Sequence, residues 1–300
     1  MILRDEYGFN DDLTMWEHGN PNNMISLSNG HRSGFNTLVE IKDKATGEVL
    51  FRGKNKTMLA GSEFMAMRTF KIKGASFTTP TYNTQLGLES TKVSTGKDLT
   101  LDYTCDLFCI GQGGCNRESA IFYPVNNKTW IDTTEIIPFQ MVPSNKDLTP
   151  DERKIYFGRK PITNLNMVAY YFKRFEGEPV LKKQFDDGTP WASSVYQDKS
   201  TLKAQVIVTN TLSVTKYDGR DYFIHSSGIN DGRFNSLELC TSWGESVNGY
   251  TYFQDIRPIT RINFPNKYLN DLKSVPWNLL FVNTDVDRYD VSDNATNRRA

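Results

Sequence analysis

The chain has 300 residues, of which 35 are basic and 35 acidic, so it carries no formal net charge and is long enough for one large or two ordinary domains. A neutral chain has no general attraction for nucleic acid or an anionic membrane, and no apolar run is long enough to span a bilayer. Phe (18) and Tyr (14) far outnumber Trp (5), which favours sheets over helical bundles.

Residues 1–34 are rich in Asn, Gly, Asp and Ser, with scattered Met15, Trp16, Met24 and Ile25 and no sustained period. They predict an extended arm that gains burial on a neighbouring subunit, with folding back onto its own body as the alternative. Acidic residues stand where a signal peptide needs a basic start, so the chain is expected to fold in a cytosol and stay soluble. Segments 35–42 and 48–52 flank Asp43-Lys44-Ala45-Thr46-Gly47 and read as a hairpin. Residues 62–70 suit a short helix capped by Ser62, with Met67 and Phe70 turned to the core beside Phe64 or Met65. Residues 74–97 read as a long loop or an irregular strand pair.

The clearest strand follows. Leu99, Leu101, Tyr103, Cys105, Leu107 and Cys109 alternate with polar residues and Phe108, a period of two that predicts one buried face. It ends in Gly111-Gln112-Gly113-Gly114, where the backbone must turn. Residues 126–160 form an excursion, in which 135–141 is a strand interrupted by Pro138 and hence at an edge or bulge. Thr149, Pro150 and Glu152 supply a helix start, giving a short helix over 150–157 that Gly158 ends. Segment 165–175 predicts a central strand, 176–197 a loop with turns at Asp186-Asp187-Gly188 and Thr189-Pro190, and 201–215 a long alternating strand. Asp218-Gly219 turns it toward a paired strand at 221–225.

Residues 234–282 predict a compact antiparallel unit of three strands, 235–240, 250–256 and 277–282, linked through Gly244, Asn248-Gly249, Pro258 and Pro265-Asn266. Leu237 and Leu239 share one face. Together these elements predict a mainly β protein: an antiparallel, sandwich-like body over 35–282, one or two short helices, an N-terminal arm over 1–34 and a polar tail over 283–300.

No cofactor, metal or catalytic residue is predicted. Cys105 and Cys109 share a strand face four residues apart, roughly 13 Å, too far to join one zinc site with Cys115 or to bond each other. Cys105 and Cys240 read as small apolar core residues. The glycine run lacks the Lys-Ser/Thr of a phosphate loop. His18, His31 and His225 lack a nucleophile context or ligand spacing, and a structural role is expected. Asp11-Asp12, Asp186-Asp187, Glu238 and Asp255 read as turn and surface carboxylates, and Asp285, Asp287, Asp290 and Asp293 lack the Gly and closing Glu of a calcium loop.

Three stretches carry a resemblance. The order Phe234-Asn235-Ser236-Leu237-Glu238-Leu239, Ile256-Arg257-Pro258-Ile259-Thr260-Arg261, Asn270-Asp271-Leu272 and Trp277-Asn278-Leu279-Leu280-Phe281 resembles the ends of tailed-phage tail and baseplate proteins. It departs from them at Ser236, where an acidic residue is usual, and at the extra Pro276. The passage from Asn55 through Gly61 into the 62–70 segment is similar to an early segment of phage tail, neck and baseplate proteins, and the strand running into Ile110-Gly111-Gln112-Gly113-Gly114 before Ile121-Phe122-Tyr123-Pro124 resembles phage structural proteins. The resemblance implies a non-enzymatic virion component of the tail, baseplate or neck, or of the capsid surface, assembled in the host cytoplasm. Its partners would be other virion proteins and copies of itself, engaged through arms and edge strands, with no nucleic acid or membrane. The alternative is a carbohydrate-binding module or virion-associated glycan-degrading enzyme, with Trp16, Trp130, Trp191 and Trp243 as sugar platforms.

Overall fold

The computed structural model describes residues 35–43, 46–54, 56–58, 60–61, 63–64, 81–90, 102–115, 135–185, 204–215, 217–225, 232–268 and 277–285. By its contacts the chain divides into two compact units, one of Asn36–Lys182 with Ile207–Thr284 and one of Met1–Phe35, Lys183–Val206 and Asp285–Ala300. Of the second unit the described residues are strand ends alone: Phe35, 183–185, 204–206 and Asp285.

Among the described residues the protein is mostly β, as the aromatic content and alternation predict. The strands are β1 (Phe35–Asp43), β2 (Val49–Lys54), β3 (Lys56–Thr57), β4 (Thr104–Gly111), β5 (Ile136–Ile137), β6 (Gln140–Pro143) and β7 (Tyr156–Ile162). They continue as β8 (Met167–Arg174), β9 (Glu176–Phe185), β10 (Ala204–Val214), β11 (Arg233–Val247), β12 (Tyr250–Tyr268) and β13 (Trp277–Asp285). Two short helices join them, α1 (Tyr82–Leu86) and α2 (Arg220–His225).

The strands make a five-stranded sheet in the order β2-β1-β13-β10-β9 and an eight-stranded one with the path β3-β12-β11-β4-β8-β6. The main core lies between them. Val39 and Ile41 of β1 and Leu212 and Val214 of β10 meet Phe108, Ile110, Leu237, Leu239, Ile259, Ile262 and Phe264 from the larger sheet. This is the sandwich-like arrangement expected for two sheets that each have an apolar face.

The other face of the larger sheet is also covered. Leu107, Cys109, Cys240, Phe253 and Ile256 lie beneath Tyr82 and Leu86 of α1 and the following Leu88. β4 is therefore buried on both faces rather than one, with Leu107, Phe108, Cys109 and Ile110 each at most 1% exposed. The predicted common face of Cys105 and Cys109 fails for a local reason. Cys240 pairs with Leu107 while Thr241 pairs with Cys105, so β4 carries an extra residue that breaks the alternation. Cys105 packs toward the inter-sheet core and Cys109 toward α1.

β11 and β12 form a long antiparallel hairpin closed at Asn248-Gly249, both with positive φ (52° and 80°), the backbone a two-residue turn requires. Pro258 does not make the predicted turn. It sits inside β12 opposite Cys240, where the register shifts and the ladder tolerates a missing N–H. β13 leaves the predicted three-stranded unit and joins the five-stranded sheet. Its strand runs on to Asp285, past the start assigned to the tail.

Pro138 does separate two strands. β5 pairs with β4 and β6 with β8, so the chain changes partner at the proline and fills the gap where β4 and β8 diverge. The Thr149/Glu152 capping box also forms. The Thr149 N–H donates to the Glu152 carboxylate at 2.8 Å and the Glu152 N–H to Thr149 Oγ1 at 3.3 Å. It starts only a 3-10 turn, Glu152–Lys154, because Phe157 and Gly158 are drawn into β7 beside β8.

Gly158 is thus not a helix stop. Its φ is +70°, and a Cβ there would stand 2.4 Å from Cδ2 of the fully buried Phe172. Gly158→Ala is expected to lose about 2 to 3 kcal/mol through left-handed strain and overpacking. Urea unfolding should show a lower midpoint with an unchanged slope.

Three further expectations are corrected. Part of the 74–97 loop is α1, whose N-cap Thr81 accepts from the Thr84 N–H and whose Gly87 takes the left-handed C-cap conformation. Segment 221–225 is helical, not a strand. Residues 176–185 form β9, not a loop. Within the expected 62–70 helix, Glu63 and the buried Phe64 are helical, and its other residues lie outside the described set, as do the arm over 1–34 and the tail beyond Asp285.

Candidate functional site

The register of the larger sheet builds a buried polar row. Glu238 of β11 stands opposite Arg261 of β12 on one side and opposite Cys109 of β4 on the other. Arg261 reaches Glu238 at 3.1 Å and also pairs with Glu135. Tyr82 of α1 closes the row from above, its hydroxyl donating to Glu238. Burial raises the Glu238 carboxyl above its ordinary range, against the Arg261 charge and the Tyr82 hydrogen bond, which lower it. Burial also pushes the Cys109 and Cys240 thiols up, so neither is a ready nucleophile at neutral pH.

α1 is held there by Asn83. Its amide donates to the Phe253 carbonyl at 2.9 Å and accepts from the Ile256 N–H at 2.7 Å. Those backbone groups flank Asp255, whose φ of 53° interrupts the β12 ladder. The row is a clamp between sheet and helix: it fixes α1 over a buried carboxylate.

A second buried node ties β8 to the start of α2. The Asp218 carboxylate accepts from the Lys173 ammonium at 2.9 Å, from the Tyr156 hydroxyl at 2.8 Å and from the Thr215 N–H at 2.6 Å. Asp218 is fully buried.

The surface offers a cleft lined by tyrosines. Tyr156 of β7, Tyr170 of β8 and Tyr250 and Tyr252 of β12 line it with Arg153 and Arg159. The carboxylate of Asp147 gathers Arg153 at 2.6 Å, the Tyr170 hydroxyl at 3.2 Å and the Tyr250 hydroxyl. Burial and the Asp147 charge push the Tyr170 hydroxyl up to about 12. The Arg153 guanidinium lies 4.1 Å over the Tyr250 ring, and Arg159 pairs with Glu89. Tyr156, Tyr250 and Tyr252 are half-buried there and Tyr170 is buried, so the cleft presents partly exposed rings among paired polar groups.

β9 is exposed along its first six residues, 176–181, including Val180 at 52% and Leu181 at 58%. Among the described residues it has a strand neighbour on one side only, β10.

The residues weighed in the sequence scatter. Glu238 is a core residue and not a surface carboxylate, while Asp255 is half-buried, pairing with Arg257 and accepting from Tyr103. Trp243 is buried with Phe64 and Tyr103 and presents no platform. His225 is exposed at the end of α2. Cys105 is half-buried and Cys115 and Cys240 are buried. Among the described residues no group of three or more His, Cys, Asp or Glu is placed to hold a metal ion, and no helix is long and apolar enough to cross a membrane. His18, His31, Trp16, Trp130, Trp191, the pairs Asp11-Asp12 and Asp186-Asp187, and Asp287, Asp290 and Asp293 lie outside the described residues. Sequence reasoning missed the tyrosine cleft because its four rings come from three separate strands. Compared with known families, with characterised proteins and with solved structures, the chain matches none.

Proposed function

We propose that the chain is a non-enzymatic structural component of a tailed-bacteriophage virion, in the tail, baseplate or neck or on the capsid surface. It works by assembling with copies of itself and other virion proteins, and is made and assembled in the host cytoplasm. The observation that carries this reading is β9. Successive strand residues face opposite ways, so Val180 and Leu181 put apolar surface on both faces of an edge strand. Such a strand is a liability in a lone molecule and an asset once a neighbour covers it. Of the stretches that resemble virion proteins, the described parts fall mostly on β4, β11, β12 and β13, strands of the two sheets.

A glycan-binding function is the second reading, favoured by the tyrosine cleft, since ring faces are what sugars stack on. Imaging of particles from the host that produces the chain separates the two. In the first, the chain occupies a fixed position with β9 buried on a neighbour. Particles that lack it, together with a purified chain that binds glycans as a monomer through Tyr250 and Tyr252, overturn that reading in favour of the second.

A further inference from the structure

We infer that β9 is a self-complementary edge, and that two copies of the chain join by antiparallel β9–β9 pairing about a two-fold axis through Val180. This rests on the assembly reading above and names the partner and the symmetry.

The register of such a pair decides which residues meet. In an antiparallel pair centred on Val180, Val180 meets Val180 of the second copy and Pro179 meets Leu181, so apolar residues oppose apolar ones. Glu178 then stands opposite Lys182, and by symmetry this ion pair occurs twice. Moving the centre to 178 sets Glu178 against Glu178, and moving it to 182 sets Lys182 against Lys182, both repulsive. A centre at 179 puts Glu178 against Val180 and two prolines face to face.

Pro179 and the charges are devices that usually blunt an edge. A centre at 181 is not repulsive, but it sets Val180 against Lys182 and Glu178 against Gln184 and forms no ion pair, so among these registers the one at 180 alone matches both charges and apolar groups, and the pattern favours that partner. A second copy is the occupant with this complement, because the strand's acidic and basic ends are read in reverse by the same sequence.

Disulfide trapping of the full chain tests it. Residues directly opposite in an antiparallel pair have Cα atoms about 4.5 to 5.5 Å apart, within disulfide reach. Val180→Cys is expected to give a disulfide-linked dimer under mild oxidation, while Glu178→Cys, offset from its own copy by four residues, is not. The native cysteines are buried or half-buried, so wild-type chain serves as the blank. Glu178→Lys should weaken self-association about tenfold and the charge swap E178K/K182E should restore it.

Equal trapping at 178 and 180, or a monomeric chain with no Val180→Cys dimer, overturns the proposal. So does trapping of Val180→Cys by a different virion protein, although that outcome would leave the assembly reading standing. Absence of the chain from particles would instead remove the assembly reading while the two-fold dimer could still be measured. Circular dichroism matching wild type establishes that each variant is folded.

Discussion

Asp218→Ala is expected to destabilise the protein by about 3 to 5 kcal/mol, lowering its melting temperature by roughly 10 °C. Three donors converge on that carboxylate: the Lys173 ammonium, the Tyr156 hydroxyl and the Thr215 N–H. Lys173 has a side chain only 7% exposed, so the substitution strands a positive charge in a region with little water. The loss should therefore shrink when Lys173 is also made apolar. In a double-mutant cycle, D218A/K173M is expected to be more stable than D218A alone, because no buried charge is left without its counterpart. Strict additivity of the two single losses would show that the contact carries no coupling.

Arg261→Met is expected to cost about 3 kcal/mol or more at neutral pH, and less in acid. The guanidinium holds both Glu238 and Glu135, and without it Glu238 is a carboxylate enclosed by Tyr82 and Cys109. Burial already raises Glu238 above the ordinary 4.5, and the Arg261 charge is the largest influence pulling it back. An acid whose folded pKa lies above its unfolded value binds more protons when folded. Its stabilising contribution is complete below the unfolded pKa and is lost as pH rises through the folded one. The deficit of Arg261→Met relative to wild type should consequently be smaller at about pH 5 than at about pH 8, and Glu238→Gln on the same background should flatten that difference. Denaturant midpoints at the two pH values provide the check; an equal deficit at both would mean that Glu238 is not the group responsible.

Much of the framework is legible in the sequence where a local cause decides it. The alternation of β10, the hairpin of β1 and β2, the break at Pro138 and the Thr149/Glu152 box all follow from residues within a few positions of one another. What escapes is set by distant partners. Ser236 and Glu238 alternate with Leu237 and Leu239, a pattern that reads as one wet face and one dry. That face is dry because α1 lies over it, and α1 comes from a segment whose composition is that of a loop. Residues 176–181 of β9 show no alternation because all of them are exposed, and it is the pairing with β10 that makes them a strand. Gly158 carries the same backbone conformation that ends helices, but β8 supplies a strand partner first. The exposed cleft was equally out of reach, since nothing in a linear text places Tyr156, Tyr170 and Tyr250 side by side.

The seating of β13 between β1 and β10 bears on synthesis at the ribosome. β11 and β12 can zip together as soon as they emerge, since a tight turn joins them. β1 has to wait for β13, which follows every other described strand in the chain. Until β13 emerges, the hairpin of β1 and β2 lacks that neighbour, a window during which adjacent nascent chains compete for its flank.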